Sequence, residues 1–264
     1  MDIIRVEHLT KKFKNLTAVD DISFSVKKGE FFAFLGPNGA GKTTTIRMLT
    51  TLLKPTRGKI FIGNFDVQKD PQNVRRLFGV VFQDPSLDGE LTAYENMVFH
   101  GILYHLPQEK REKRIKKLLT MVDLWPKRNE LVKNFSGGMK RRLEIARGLL
   151  HHPQVFFLDE PTLGLDPQTR HKIWQYIKEL NRQEKTTIFF TTHYMEEAEQ
   201  MAQRIAIIDY GRIIALGTSE ELEKKTKTNS LEEAFLKLTG KKIRKEEKES
   251  FSRFKMMMRK RWRQ

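Results

Sequence analysis

The sequence predicts an α/β protein with a parallel-sheet core, an antiparallel β subdomain at its N-terminus and an inserted α-helical subdomain. Three observations support this fold class. Residues 31–35 and 155–158 are short, continuous apolar runs, which are typical of parallel strands buried on both faces. Helical patterns follow such runs, as they do in parallel α/β units. Apolar and polar residues alternate within the first 26 residues, which indicates half-buried antiparallel strands.

The predicted strands and helices follow one another in a definite order. The strands are recognised by apolar alternation or by apolar runs, and we place them at residues 4–9, 22–26, 31–35, 59–62, 79–82, 155–158, 187–191, 205–209 and 213–216. The last two flank a Tyr210-Gly211 turn and predict a hairpin. The helices are recognised by their 3.6-residue period, and we place them at residues 42–53, 92–132, 136–150, 167–182 and 194–202. Pro55 accounts for the end of the first helix.

Half of the net positive charge lies at the C-terminal end of the chain. The formal net charge is +16, and residues 241–264 hold eleven Lys or Arg and three Glu, a net +8. We expect residues 1–240 to form a compact body with a helical insertion at about residues 84–135, followed by a basic tail at residues 241–264. Because the rest of the charge is spread over the body, the high pI alone does not indicate a nucleic-acid binder.

Any membrane role is expected to come through a partner or through surface attachment. The N-terminus lacks the apolar stretch of a signal peptide, and no segment approaches the roughly 18 apolar residues of a membrane span. In the tail, Phe251, Phe254 and Met258 recur at helical spacing among basic residues. That spacing fits either an amphipathic helix on an anionic membrane surface or a tail without fixed structure. The absence of Cys excludes disulfides and thiolate metal sites.

A glycine-rich loop after the 31–35 strand carries the clearest chemistry. It matches the phosphate-binding pattern GxxxxGK[ST] in full, with the residues Gly36, Pro37, Asn38, Gly39, Ala40, Gly41, Lys42 and Thr43. Glycines let backbone N–H groups approach phosphate oxygens, and the following helix presents its positive end. We expect Lys42 to reach the β- and γ-phosphates and the Thr43 hydroxyl to bind Mg²⁺. A chance glycine turn is the alternative, which the position between a strand and a helix disfavours.

Two carboxylates end the 155–158 strand. In a parallel sheet, Asp159 would lie beside the phosphate loop, where it can hold Mg²⁺ through water. Glu160 follows and is a candidate for the base that polarises the attacking water. An acidic turn after a strand is the alternative, and the phosphate loop upstream favours the catalytic interpretation.

A third motif makes a family resemblance specific. Phe135-Ser136-Gly137-Gly138-Met139 precedes a basic helix and resembles the LSGGQ signature of ABC ATPases, with Phe in place of Leu and Met in place of Gln. A Ser hydroxyl, two glycines and a helix N-terminus form a second anion site, and in the family this site faces the ATP of another subunit. The resemblance covers about residues 2–220. The Met of the signature and residues 163–167 look most like the daunorubicin-type drug-resistance and ABC-2 exporter ATPases.

The resemblance assigns four further residues to the site. Gln83 matches the Q-loop glutamine, which in the family senses Mg²⁺ and the attacking water. Asp166 matches the D-loop, which crosses the dimer interface, and His193 matches the switch histidine that contacts the γ-phosphate. Phe13 stands where the family stacks an aromatic ring on adenine, and Phe keeps that stacking surface.

The resemblance therefore implies an ATPase that drives a separate membrane partner. It implies ATP and Mg²⁺ as cofactors. They would be held between Gly36–Thr44 of one subunit and the Ser136–Gly138 signature of a second subunit, which is identical or related. It also implies a transmembrane permease subunit contacted by residues 84–94, export as the direction of transport, and a peripheral position at the cytoplasmic face of the membrane.

Two other functions stay open from the sequence. One is a soluble ABC-type ATPase that acts on nucleic acid or ribosomes. The chain has a single cassette, and the roughly one hundred residues between the phosphate loop and the signature lack sustained heptads, so we regard nucleic acid as an unlikely partner. The other is a binding module that does not hydrolyse its nucleotide, which the presence of Glu160 and His193 disfavours.

Overall fold

The computed structural model of the protein describes residues 1–240. The strands are numbered in chain order and comprise β1 (Asp2–Phe13), β2 (Leu16–Lys27), β3 (Phe31–Leu35), β4 (Arg57–Ile62), β5 (Phe65–Asp66), β6 (Phe78–Val81), β7 (Val155–Asp159), β8 (Thr187–Thr192), β9 (Arg204–Asp209) and β10 (Arg212–Gly217). They form an antiparallel sheet in the order β2-β1-β4-β5 and a second sheet in the order β10-β9-β3-β8-β7-β6. The second sheet is parallel except for β10, which pairs antiparallel with β9. The predicted fold class is confirmed.

The helices lie between and after these strands. They comprise α1 (Lys42–Leu49), α2 (Pro71–Leu77), α3 (Ala93–Leu103), α4 (Gln108–Met121), α5 (Gly137–Gly148), α6 (Pro167–Glu184), α7 (Met195–Met201), α8 (Ser219–Thr226) and α9 (Leu231–Thr239). Within residues 1–240, none of these helices combines the length and the apolar character that a membrane span requires.

The parallel sheet is buried because apolar layers cover both of its faces. Every residue of β3, β7 and β8 is buried. On one face of β3, Phe32 and Phe34 pack on Phe24 of the antiparallel sheet, with ring centroids 5.6 and 5.5 Å apart. On the other face, Ala33 and Leu35 join a core shared with the helices. Two-sided burial explains why the sequence shows continuous apolar runs here rather than alternation.

Two predicted helices end earlier than the sequence suggested. The helix predicted over residues 42–53 ends at Leu49, because Thr51 turns into a left-handed conformation (φ 63°) and the N–H groups of Leu52 and Leu53 both donate to the Arg47 carbonyl. The stretch predicted at residues 92–132 is α3 and α4 followed by two short 3₁₀ turns. Pro107 separates α3 from α4, since a proline disfavours helical geometry in the residue before it.

Some elements were absent from the prediction. These are β5, α2, α8 and α9. The first turn of α8 is closed by a capping box, in which Thr218 and Glu221 exchange side-chain and backbone hydrogen bonds. The basic tail predicted at residues 241–264, with Phe251, Phe254 and Met258, lies outside the described residues.

Candidate active site

The phosphate loop joins the end of β3 to the start of α1 and needs glycine at two positions. A Cβ at Gly36 would lie 2.4 Å from the Ile208 carbonyl oxygen. At Gly41, where φ is 106°, a Cβ would lie 2.5 Å from the Ala18 carbonyl oxygen. The N-cap residue of α1, Gly41, makes no side-chain capping hydrogen bond, and a helix N-terminus attracts anions. The loop is therefore shaped by backbone packing and has the chemistry of a phosphate cradle.

Lys42, Glu160 and His193 form a chain of charged contacts beside this loop. The Lys42 ammonium is 4% exposed, donates to the carbonyls of Gly36 at 2.7 Å and Pro37 at 3.1 Å, and lies 3.1 Å from Glu160 Oε1. His193 Nδ1 lies 3.0 Å from Glu160 Oε2. Burial alone would raise the pKa of Glu160, but the hydrogen bond with His193 and the charge of Lys42 together hold that pKa below its usual value. The carboxylate is therefore ionised at neutral pH.

The backbone at Glu160 is held in an uncommon conformation. Its φ is 47°, in the left-handed region that costs a non-glycine residue about 1–2 kcal/mol. The neighbouring strand β8 fixes this conformation, since the Glu160 N–H donates to the Thr191 hydroxyl at 3.0 Å. Strain of this kind concentrates at functional sites.

Asp159 lies beneath the loop at the carboxyl end of β7 and is fully buried. The Thr191 hydroxyl donates to Asp159 Oδ1 at 2.6 Å, whereas Oδ2 is buried without a hydrogen-bond partner among residues 1–240. Burial raises the pKa of the Asp159 carboxyl, against the lowering effect of the hydroxyls of Thr191 and Thr43. A buried carboxylate oxygen next to a threonine hydroxyl is a donor set that suits Mg²⁺.

An open cleft of about 580 Å³ brings most of the candidate residues together. The sequence-derived candidates that line it are Phe13, Asn38, Gly39, Ala40, Gly41, Lys42, Thr43, Thr44, Gln83, Glu160 and His193. The residues that sequence reasoning missed are Leu16, Thr17, Ala18, Leu163, Tyr210 and Gly211. Of these only the Tyr210-Gly211 turn had a sequence signal, and that signal indicated a hairpin rather than a ligand site.

Aromatic and amide side chains enter the cleft from two separate elements. Phe13 ends β1 with a ring that is 43% exposed, and Lys11 Nζ lies 5.0 Å from the ring centroid. Such a ring can stack on a nucleobase. Gln83 follows β6, and the backbone carbonyl of Gln83 accepts a hydrogen bond from Arg141 on α5 at 3.1 Å. The same Arg141 donates to the Phe82 carbonyl at 2.6 Å, so α5 fixes the backbone that carries Gln83.

Four predicted residues lie outside this cleft, on other surfaces. Ser136 caps α5 and accepts from the Met139 N–H at 3.3 Å, and both Ser136 and Gly137 are exposed while Gly138 is half-buried. Asp166 caps α6 and is also exposed. Hydrogen bonds with the start of α6 hold the pKa of Asp166 below its usual value. Thus the signature and Asp166 form polar helix N-termini that do not line the cleft around the phosphate loop.

Sequence relatives identify the class of protein that carries this arrangement. The family model for the ABC transporter matches residues 19–163. The chain is 42% identical over 220 residues to a linearmycin resistance ATP-binding protein of Bacillus subtilis, covering 83% of this chain and 70% of that one. It is 42% identical over 228 residues to a daunorubicin/doxorubicin resistance ATP-binding protein of Streptomyces peucetius (86% and 69% covered). It is 44% identical over 220 residues to a Nod factor export ATP-binding protein of Ralstonia nicotianae (83% and 68% covered).

Solved structures agree with the sequence relatives. An ATP-binding subunit of an ABC transporter matches with a TM-score of 0.83 and 31% identity over 90% of this chain and 100% of that one. A dimeric ATP-binding cassette in a post-hydrolysis state, bound to ADP and Pi, matches with a TM-score of 0.73 and 31% identity over 81% of this chain and 98% of that one. The chain therefore belongs to the ABC transporter family, as an ATP-binding and ATP-hydrolysing subunit.

Proposed function

We propose that this chain closes with a second copy or a related subunit over Mg-ATP, hydrolyses it, and thereby drives transport by a separate membrane subunit. The observation that carries the proposal is the position of Glu160 in the cleft, where it contacts both Lys42 and His193. That position puts an ionised carboxylate next to the cation that binds the transferred phosphoryl group.

Lys42 changes partners when nucleotide binds. An ammonium group has three N–H donors, and those of Lys42 face two loop carbonyls and the Glu160 carboxylate. Phosphate oxygens replace Glu160 at this group, because the loop carbonyls belong to the cradle itself. Glu160 then keeps its contact with His193 and is released from Lys42. The carboxylate becomes free to accept a hydrogen bond from the attacking water.

The residues beneath the loop fit Mg²⁺. Thr43 would bind the ion directly through its hydroxyl, and the unpartnered Oδ2 of Asp159 would hold it directly or through water. Gln83, which follows β6, lines the same cleft and would complete the set of Mg²⁺ ligands. When bound, the ion neutralises negative charge on the β- and γ-phosphates.

The exposed helix N-termini support the participation of a second subunit. Ser136, Gly137 and Asp166 are exposed and do not line the chain's own cleft. A helix N-terminus stabilises an anion in contact with it, and the effect falls off within one turn. These residues therefore act on the nucleotide of a neighbouring subunit, which makes hydrolysis depend on a dimer.

An exposed apolar face on α3 supports a membrane-embedded partner. Phe99, Ile102 and Leu103 are 60%, 51% and 61% exposed and share one side of the helix, at positions i, i+3 and i+4. Exposed apolar patches indicate interaction sites. Together with residues 84–94 this face contacts the transmembrane subunit at the cytoplasmic side of the membrane. Relatives named for resistance and export favour export over the nucleic-acid alternative.

Two variants test the proposal. Glu160→Gln keeps the shape of the side chain and removes its charge, so ATP binding should be retained while turnover falls at least about 100-fold. Lys42→Ala should instead lose ATP binding, because the phosphates lose their principal cation. Binding is measured by fluorescence of a labelled nucleotide, and turnover by phosphate release from the purified chain. Turnover of Glu160→Gln at the parent rate would assign the base to another residue.

A further inference from the structure

A buried carboxylate lies behind the catalytic pair, in the short helix α7. Glu197 is 5% exposed, and both of its oxygens accept hydrogen bonds from threonine hydroxyls. Thr162 donates to Oε1, and Thr192 donates to Oε2 at 2.9 Å. Both hydroxyls are buried, because Thr162 and Thr192 are each 1% exposed. None of these three side chains lines the cleft that residues 1–240 form around the phosphate loop.

The two threonines belong to the segments that carry Glu160 and His193. Thr162 lies two residues after Glu160, and Thr192 directly precedes His193. Glu197 therefore joins these two segments on the side away from the cleft lining. In the cleft, His193 Nδ1 lies 3.0 Å from Glu160 Oε2.

The bond from Thr192 also fixes the turn that follows it. The Thr192 hydroxyl donates to Glu197 and accepts from the Tyr194 N–H at 3.0 Å, so it has no freedom to rotate. The Tyr194 ring packs against the His193 ring at 4.1 Å between centroids, and the Arg170 guanidinium lies 4.6 Å from the centroid of Tyr194. The orientation of the imidazole is thus set by neighbours that Glu197 holds in place.

The partners of Glu197 compensate only in part for the burial of its charge. Removing a charge from water is costly unless strong partners compensate. Glu197 has two hydroxyl donors and one cation at a longer distance, with Arg170 Nε 3.7 Å from Oε1. An apolar side chain of similar volume would avoid that cost but would leave the buried hydroxyls of Thr162 and Thr192 without their acceptor, so the carboxylate fixes the orientation of these two hydroxyls.

We propose that Glu197 is a positioning residue for ATP hydrolysis, which holds His193 at the distance and angle that it needs to orient Glu160. The inference rests on the proposed roles of Glu160 and His193. It makes Glu197 act on the rate of hydrolysis and not on the affinity for ATP, because the contacts of Glu197 lie outside the phosphate cradle.

Three variants test this role by steady-state ATP turnover of the full chain. Glu197→Met keeps the length of the side chain and removes both oxygens, so kcat should fall about 10- to 100-fold while KM for ATP stays within about twofold. Thr192→Val should lower kcat in the same manner, and Thr192→Ser should restore it, because Ser keeps the hydroxyl. Thr226→Val is the matched control, since it removes another buried threonine hydroxyl bond, to the Leu222 carbonyl at 2.8 Å in α8. It should lower the melting temperature without changing kcat.

A double-mutant comparison separates positioning from general damage. If Glu197 acts through His193, Glu197→Met should cost little further turnover in a His193→Ala background. Parent-like kcat in Glu197→Met, an equal loss in both backgrounds, or a failure of Thr192→Ser to restore kcat would overturn the inference. Parent-like turnover in both Glu160→Gln and His193→Ala would instead overturn the proposed function on which it rests.

Discussion

At the scale of single residues, the site contains two adjacent carboxylates, Glu160 and Asp159, whose pKa values the fold shifts in opposite directions. Glu160 is kept ionised by Lys42 and His193, and its pKa lies below the usual value. Asp159 shows the opposite shift, because burial is the strongest influence on its pKa and outweighs the lowering effects of the Thr191 and Thr43 hydroxyls and of the Lys42 charge. Adjacent carboxylates with opposite shifts are suited to different tasks, one accepting a hydrogen bond from water and the other holding a cation.

The buried Asp159 should destabilise the nucleotide-free protein. Its folded-state pKa is raised, so the ionised carboxylate costs stability in full at a pH above the folded pKa. This cost decreases as the pH falls below the folded pKa and is absent below the unfolded pKa. Asp159→Asn should therefore raise the melting temperature at pH 7 without Mg²⁺ or ATP, by about 2–4 °C for each kcal/mol relieved. The same variant should gain less stability than the parent when Mg-ATP is added. A lower melting temperature for Asp159→Asn at pH 7 would contradict this account.

Local chemistry in the sequence was sufficient for the backbone-built part of the site but not for its side-chain contacts. The phosphate loop could be predicted because its residues form a contiguous motif, although the atoms that require glycine at Gly36 and Gly41 belong to distant parts of the chain. The contact between Glu160 and His193 joins residues 33 positions apart and depends on the packing of β7 against β8. Glu197 was overlooked because an acidic residue in the first turn of a helix has an ordinary explanation in the helix dipole.

At the scale of elements, α5 connects the signature to the loop that carries Gln83. Ser136 caps its N-terminus, and one turn later Arg141 donates to the backbone of the Gln83 loop. Further along the same face, Glu144 accepts from the Ser86 N–H at 2.8 Å. α5 therefore joins the signature and the Gln83 loop as one continuous structural element.

The exposed face of α3 should be required for partner binding and not for folding. Phe99→Gln combined with Leu103→Gln should abolish copurification with the membrane subunit, because it removes the apolar area that the partner buries. The melting temperature and the basal ATP turnover should stay unchanged, since both side chains are exposed. Leu236→Gln on α9, where Leu236 is 44% exposed, is a matched control and should leave copurification intact. Retention of the membrane subunit by the α3 variant would exclude this face as the contact.

A local signal in the sequence marks some helix ends, and the prediction did not use all of these signals. The N-termini of α8 and α9 have one, although neither helix was predicted: Thr218 and Ser230 each accept a hydrogen bond from the N–H of a Glu three residues later. The C-terminal end of α1 has no such signal, because the left-handed conformation of Thr51 ends the helix before Pro55 is reached. Tertiary packing decides such an end, and apolar periodicity does not report it.

At the scale of the whole molecule, two hydrophobic cores cover the two faces of the parallel sheet, and the cleft lies at the carboxyl ends of its strands. One core packs the antiparallel sheet and α1 against the sheet, and the other packs the helices of the opposite face. The carboxyl ends of β3, β6, β7 and β8 then present the phosphate loop, Gln83, Glu160 and His193 to the same cleft. The signature does not line this cleft, and on this observation rests the proposal that each site is completed by a second subunit.

The most direct test of this division is the molecular mass of the Glu160→Gln chain in solution, measured by light scattering with and without Mg-ATP. We predict a monomer without nucleotide and a dimer with it. We also predict that Gly137→Ala, added to the same chain, prevents dimerisation, although within residues 1–240 the new methyl group would meet no atom within 4 Å beyond its chain neighbours and the backbone of its own helix. A chain that stays monomeric in Mg-ATP, while the parent hydrolyses ATP at a rate per molecule independent of protein concentration, would contradict the shared site.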